Sequence, residues 1–165
     1  LFPYTTLFRS MNKSYHDKVM WTKMEVLAEA IQKFESGNVD DGLNMLKYIT
    51  KHSKDKALLY EVAVTYSNYG FLEEALDLSR KLIKKYPNEE EFILLAAECL
   101  IELGDDLQAI EYLDKIKTSS DYYLTALLML ADLYQLEGLE EVAENKLLEA
   151  YNLNQKEPII WYALA

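Results

Sequence analysis

The chain has 165 residues, 50% of them hydrophobic and 12% aromatic, and a formal charge of −11. A chain of this size can withdraw about two thirds of its unfolded surface from water, enough for a well-filled core. Five glycines and three prolines are too few for a loop-rich all-β protein and favour helices, and a single cysteine, Cys99, excludes an internal disulfide.

In chain order, Leu1 to Ser10, "LFPYTTLFRS", has no helical period and no cap, and bears no relation to the rest of the chain. Back-translated, it resembles a sequencing-library adapter, so it is set aside from fold reasoning as a fusion scar would be. "MNKSYHDKVMW", from Met11, has no apolar h-region, and residues 11–22 are expected to form a helical extension without a secretory signal. Nowhere do eighteen apolar residues run together, so no transmembrane helix and a cytoplasmic location are expected.

From Lys23 onward the sequence repeats. Gly37, Gly70, Gly104 and Gly138 are separated by 33, 34 and 34 residues, a period that marks a stacked array. Other columns keep the same phase. Seven residues before each glycine stands Ala30, Ala63, Ala97 or Ala131, and five after stands Gly42, Ala75, Ala109 or Ala143. Eleven before stands Val26, Leu59, Ile93 or Leu127, and twelve after stands Ile49, Leu82, Ile116 or Ala150.

Each column has a physical reason. Glycine closes a helix in the left-handed conformation without a Cβ clash, so it predicts a turn between two helices. The small residues on either side of that turn predict the closest helix–helix approach, where a larger side chain would overpack the contact. Larger apolar residues further out fill the space where the helices splay. Acidic pairs after each turn (Asp40 and Asp41, Glu73 and Glu74, Asp105 and Asp106, Glu140 and Glu141) are expected in the first turn of each second helix, where they complement its dipole.

This pattern resembles the tetratricopeptide repeat, or TPR. Leu59, Ala63, Tyr66, Gly70, Ala75 and Pro87 carry the resemblance in the second unit, and Leu127, Leu130, Ala131, Tyr134, Gly138, Ala143 and Ala150 in the fourth. The third unit has Leu100 for the aromatic and a shortened junction at "KTSSDYY". The first has Lys33 in the aromatic column, Glu29 in an apolar column and Gly42 for alanine. "PIIWYALA", from Pro158, resembles the opening of a fifth unit, with Trp161, Leu164 and Ala165 in phase, so the chain is expected to be a piece of a longer array. The wording of "LADLYQLEGLEEVAENKLLEA" resembles multi-TPR proteins of Bacillus-like bacteria. The resemblance implies an all-α fold, a right-handed α-solenoid of antiparallel helix pairs. Its units run over about 23–55, 56–89, 90–123 and 124–157, with a half-helix from 158.

It also implies a non-catalytic scaffold that binds a peptide or protein segment along the concave face formed by the first helices. By analogy that face takes Leu27, Ile31, Tyr60, Val64, Asn68, Glu91, Leu94, Glu98, Glu102, Leu128, Asp132 and Gln135. Met24, Phe34, Glu35, Ala57, Ser67, Ile101, Thr125 and Leu136 fall in the same phase. None is Lys or Arg, which disfavours a carboxylate clamp for an acidic C-terminal peptide. Apolar anchors beside carboxylates suit a partner with apolar and basic residues, although the same carboxylates also suit a solvated face. Two other uses stay open: a regulatory or targeting module of a larger enzyme, and a self-associating array.

Charge is uneven. Residues 12–88 carry net +1 and residues 89–165 net −13, so nucleic acid and anionic membrane are poor partners. No catalytic, metal or cofactor constellation is expected. His16 and His52 lack partners at ligand spacing, Cys99 lies in the apolar run "LLAAECLIEL", and the single glycines form no phosphate loop. Tyrosines and Trp21 follow helical spacing without interleaved basic residues, as expected of core or groove positions.

Overall fold

A computed structural model describes residues 23–153. The adapter-like segment, the extension with His16 and Trp21, and the half-helix around Trp161 lie outside the described residues. Eight helices occupy the described part: α1 (Lys23–Glu35), α2 (Val39–His52), α3 (Lys56–Asn68), α4 (Leu72–Lys85), α5 (Glu90–Glu102), α6 (Asp106–Leu113), α7 (Tyr123–Leu136) and α8 (Glu140–Leu153). The architecture is all-α, with no strand among the described residues.

The four periodic glycines each end the first helix of a pair. Gly37, Gly70, Gly104 and Gly138 have φ of 79°, 79°, 77° and 75°. A Cβ at any of them would meet nothing within 4 Å, so conformation rather than space demands glycine. The residue after each glycine donates its N–H five residues back: Asn38 to Lys33 at 2.8 Å, Phe71 to Tyr66 at 2.9 Å, Asp105 to Leu100 at 2.9 Å and Leu139 to Tyr134 at 2.8 Å. Each glycine donates to the carbonyl three residues before it, as Gly70 does to Ser67 at 2.9 Å. These paired bonds form a Schellman closure, which satisfies helix-end carbonyls that would otherwise lack partners.

The chain divides into two compact units, before and after the Ser53–Lys54 bond. In the first, α1 packs on α2, with Val26, Leu27, Ala30 and Phe34 buried against Leu46 and Ile49 as its core. At the far end from Gly37, the Lys23 ammonium donates to the His52 carbonyl at 2.7 Å. His52 itself is exposed, its ring stacked at 4.3 Å on Tyr48.

The second unit carries α3 to α8, each helix packing on the next. Ala63, Ala75, Ala97 and Ala109 are fully buried where the pairs approach most closely, and Ala131 and Ala143 nearly so. Leu82, Ile93, Leu127 and Ala150 fill the outer columns. Leu59 departs from its column and is only half-buried, while its neighbour Leu58 is buried. Phe92 is fully buried and sits 5.4 Å from the Tyr60 ring and 6.4 Å from that of Tyr86.

Two local details differ from the periodic expectation. Asp105 lies just outside the first turn of α6 and caps it, accepting from the Gln108 N–H at 3.2 Å, which leaves Asp106 as the acidic residue within that turn. Helix α6 itself is only eight residues long. Tight turns continue it through Lys115 and Ile116, whose N–H groups reach Tyr112 at 3.1 Å and Leu113 at 3.0 Å. Ile116 therefore stays buried although it has left the helix.

Candidate functional site

The site is built from the first helices of the second unit. Helix α3 approaches α5 directly, whereas neither α4 and α6 nor α5 and α7 make a comparable approach.

Tyr60 and Val64 are half-buried on α3, as are Glu91 and Leu94 on α5, while Asn68, Glu98 and Glu102 are exposed. Tyr60 lies near enough to Glu91 and Glu98 to feel both charges. Burial first, then Tyr122 and these carboxylates, push its phenol up. Tyr122, immediately before α7, donates its hydroxyl to Glu91 at 3.4 Å, and loss of solvation followed by that carboxylate raises its own phenol. Tyr60, Glu91 and Tyr122 thus form a contiguous patch drawn from three first-helix segments.

The carboxylates of this region are not equivalent. Glu89 is paired with the Lys56 ammonium, which also lies 5.6 Å from the Tyr86 ring centre. Glu91 has the Tyr122 hydroxyl. Glu98 and Glu102 stand one helical turn apart on α5, a spacing that brings like charges together. Crowding by neighbouring atoms first, and the Glu102 charge second, hold the Glu98 carboxyl above the ordinary glutamate range even though the residue is exposed by surface area. Among the described residues no Lys or Arg forms a salt bridge with either.

Other sequence-derived positions fall elsewhere. Leu27 is buried in the α1–α2 core, which removes it from any ligand-facing surface, and Ile31 beside it is half-buried. Phe34 is likewise buried, its ring tip filling the gap left by Gly42. Leu128 is half-buried on α7 and packs beside the Leu127–Ala150 cluster, and Asp132 and Gln135 are exposed on the same helix. Tyr122 was not among the expected positions. Its signal is faint, lying in the aperiodic "KTSSDYY" junction where helical phase cannot be carried through.

For chemistry, the described residues hold no group of three or more His, Cys, Asp or Glu placed to bind a metal. Cys99 is fully buried, and burial pushes its thiol up against a weaker opposing hydrogen bond from Ser67, so it packs as a small hydrophobe. Tyr123 donates to Glu149 at 2.5 Å, which with burial raises its phenol to about 12 and ties α7 to α8. No helix of the described residues is long and apolar enough to cross a membrane.

Comparison with known proteins accords with this geometry. Residues 51–141 match the family described as Tetratricopeptide repeat protein 21 ARM repeat, and residues 135–165 match YpiA-like tetratricopeptide repeats. The TPR repeat-containing protein YpiA of Bacillus subtilis is 38% identical over 141 residues, which cover 84% of this chain and 33% of YpiA. The chain therefore spans about one third of that relative's length. A tetratricopeptide repeat protein from Parabacteroides merdae superposes with a TM-score of 0.70 at 19% identity, over 97% of this chain and 62% of its own. TTC0263, a TPR protein of Thermus thermophilus, gives 0.61 at 22% identity over 87% and 79%. At such identities the two structures establish the fold alone. With the glycine-closed pairs and the matched repeats in hand, the chain belongs to the tetratricopeptide repeat family and is similar to TPR proteins of Bacillus-like bacteria.

Proposed function

We propose that this chain is a non-catalytic, cytoplasmic interaction module whose first-helix face in the second unit holds a protein segment bearing apolar and basic residues. The observation that carries this reading is the Glu98–Glu102 pair beside Tyr60: two carboxylates one turn apart, one held above its ordinary pKa, with no cationic partner among the described residues. A Lys or Arg from a partner would relieve that repulsion, and the Tyr60 and Tyr122 rings offer faces on which its stem and charge can rest. Val64 and Leu94 supply the apolar contacts that fix the segment beside them.

With units taken as 56–89, 90–123 and 124–157, one such first helix per unit would line the proposed face. A ligand there reads several helices at once.

Selection from a displayed random-peptide library against the full chain tests the reading. The expected winners combine Lys or Arg with large apolar residues, and Glu98→Lys weakens them by about tenfold, the loss of one charge-assisted contact. Acidic winners, or winners indifferent to Glu98→Lys, contradict it. The substitution leaves folding intact, because it replaces a like-charge pair by an opposite-charge pair at the same spacing.

A further inference from the structure

A second surface lies at the edge of the same unit where the helices turn. Leu103 and Leu107 flank Gly104, and Leu136 and Leu139 flank Gly138, with exposures of 42%, 71%, 76% and 49%. Helices α5 and α7 both end at these turns and α6 and α8 both leave from them, so the stacking order sets the two pairs of leucines along one edge. The preceding turn is built differently. Around Gly70, Phe71 and Leu72 are half-buried, and the Phe71 ring packs edge-on to Tyr66 at 6.4 Å. An apolar residue at such a turn can therefore be folded inward, yet these four leucines are left in water.

Carboxylates dominate the sequence beside the leucines, with Asp105, Asp106, Glu137, Glu140 and Glu141 and no Lys, Arg or His in residues 86–114 or 118–145, and the Arg80 guanidinium that reaches this end of α6 is held by Gln108 at 2.9 Å. A second copy docking by the same edge would bring like carboxylates face to face, and phosphate-bearing surfaces would be repelled as well. A partner segment must also satisfy its own backbone, since leucine side chains and helix termini offer it no ladder of hydrogen bonds. A helix does so internally. We infer that the leucine edge formed by the Gly104 and Gly138 turns docks an amphipathic helix of another protein, apolar on one face and lysine- or arginine-rich along its flanks. The leucines are none of the residues of the Tyr60–Glu98 face, although Leu136 shares the helical phase of the expected groove positions.

The test uses the full chain and a dye-labelled peptide of Leu and Lys arranged at helical spacing, with a Leu/Glu peptide of the same pattern as control. The Leu/Lys peptide is expected to bind saturably and the Leu/Glu peptide not at all. In a Glu98→Lys background, which disables the Tyr60–Glu98 face, Leu107→Ser with Leu136→Ser should still weaken binding by about tenfold. Both leucines are exposed, so the double variant keeps its fold; Glu137→Lys with Glu140→Lys provides a second, independent lesion and should weaken binding as well. Equal affinity of the wild type and both double variants overturns the proposal. So does a loss confined to Glu98→Lys, which would place the peptide on the other face. A concentration-dependent dimer in peptide-free solution that Leu107→Ser with Leu136→Ser abolishes would also overturn it, by showing that a second copy covers the edge.

Discussion

The α1–α2 and α3–α4 hairpins solve one packing problem in two ways. In α3–α4 an aromatic, Tyr66, stands four residues before the glycine and Ala75 stands five after it, both buried. In α1–α2 the aromatic position holds Lys33, and Phe34, one place later, is buried instead. Its ring tip occupies the space a Cβ on Gly42 would need, with the Phe34 Cζ only 2.9 Å from that point. The lesson is that the columns of this array are complementary in volume and not independent preferences. A glycine where alanine is usual is the counterpart of an aromatic displaced by one residue, and total volume is conserved.

The largest effect expected from breaking this comparison is at the feature both hairpins share. Gly70→Ala should cost about 1–2 kcal/mol, because the left-handed backbone strains any Cβ even in open space. A urea titration of the full chain measures it, and Gly37→Ala should cost the same. The next effect belongs to α3–α4 alone. Ser79 is fully buried with its hydroxyl unpartnered, at the place in the repeat where α2 carries Leu46 and α6 carries Leu113. Ser79→Ala should raise stability by about 1 kcal/mol by removing a desolvated polar group, seen as a higher urea midpoint at unchanged slope.

A lesser and reversible effect belongs to α1–α2. Gly42→Ala gains about 1 kcal/mol of helix propensity but forces the Phe34 ring to move, so the single variant should lose about 1 kcal/mol net. In a Phe34→Leu background the same change should become stabilising, and the double-mutant cycle reports the coupling. Additive effects would show that the two columns are independent after all.

The smallest effect lies outside both hairpins. Glu98→Gln should raise stability at neutral pH by about 0.2–0.5 kcal/mol, the scale of a like-charge pair one turn apart. The sign follows from the raised pKa: ionised Glu98 opposes folding above its folded-state pKa, and protonation removes that penalty. The advantage of Gln should therefore fade as pH drops through the raised value and vanish below the ordinary 4.5. Urea midpoints at matched pH values check it.

Most of the fold was legible because its demands are local. A positive φ admits glycine more readily than any other residue, so Gly37, Gly70, Gly104 and Gly138 announce the turns, and the alanine columns announce the close contacts. Helical phase places a residue on a face but does not say how the helix is rolled against its partner. That is why Leu27 and Phe34 serve the core although their phase points toward the groove. The Tyr122–Glu91 contact was not legible, since an aperiodic junction carries no phase across it. The early end of α6 had the same cause.

Hydrogen–deuterium exchange of the full chain, with and without a Lys-containing peptide from the library selection, tests the proposed face most directly. Added protection within Tyr60–Asn68 and Glu91–Glu102, with α4 and α6 unchanged, is the predicted result. Protection confined to α4, α6 or α8 would place the partner on the opposite side and contradict the account.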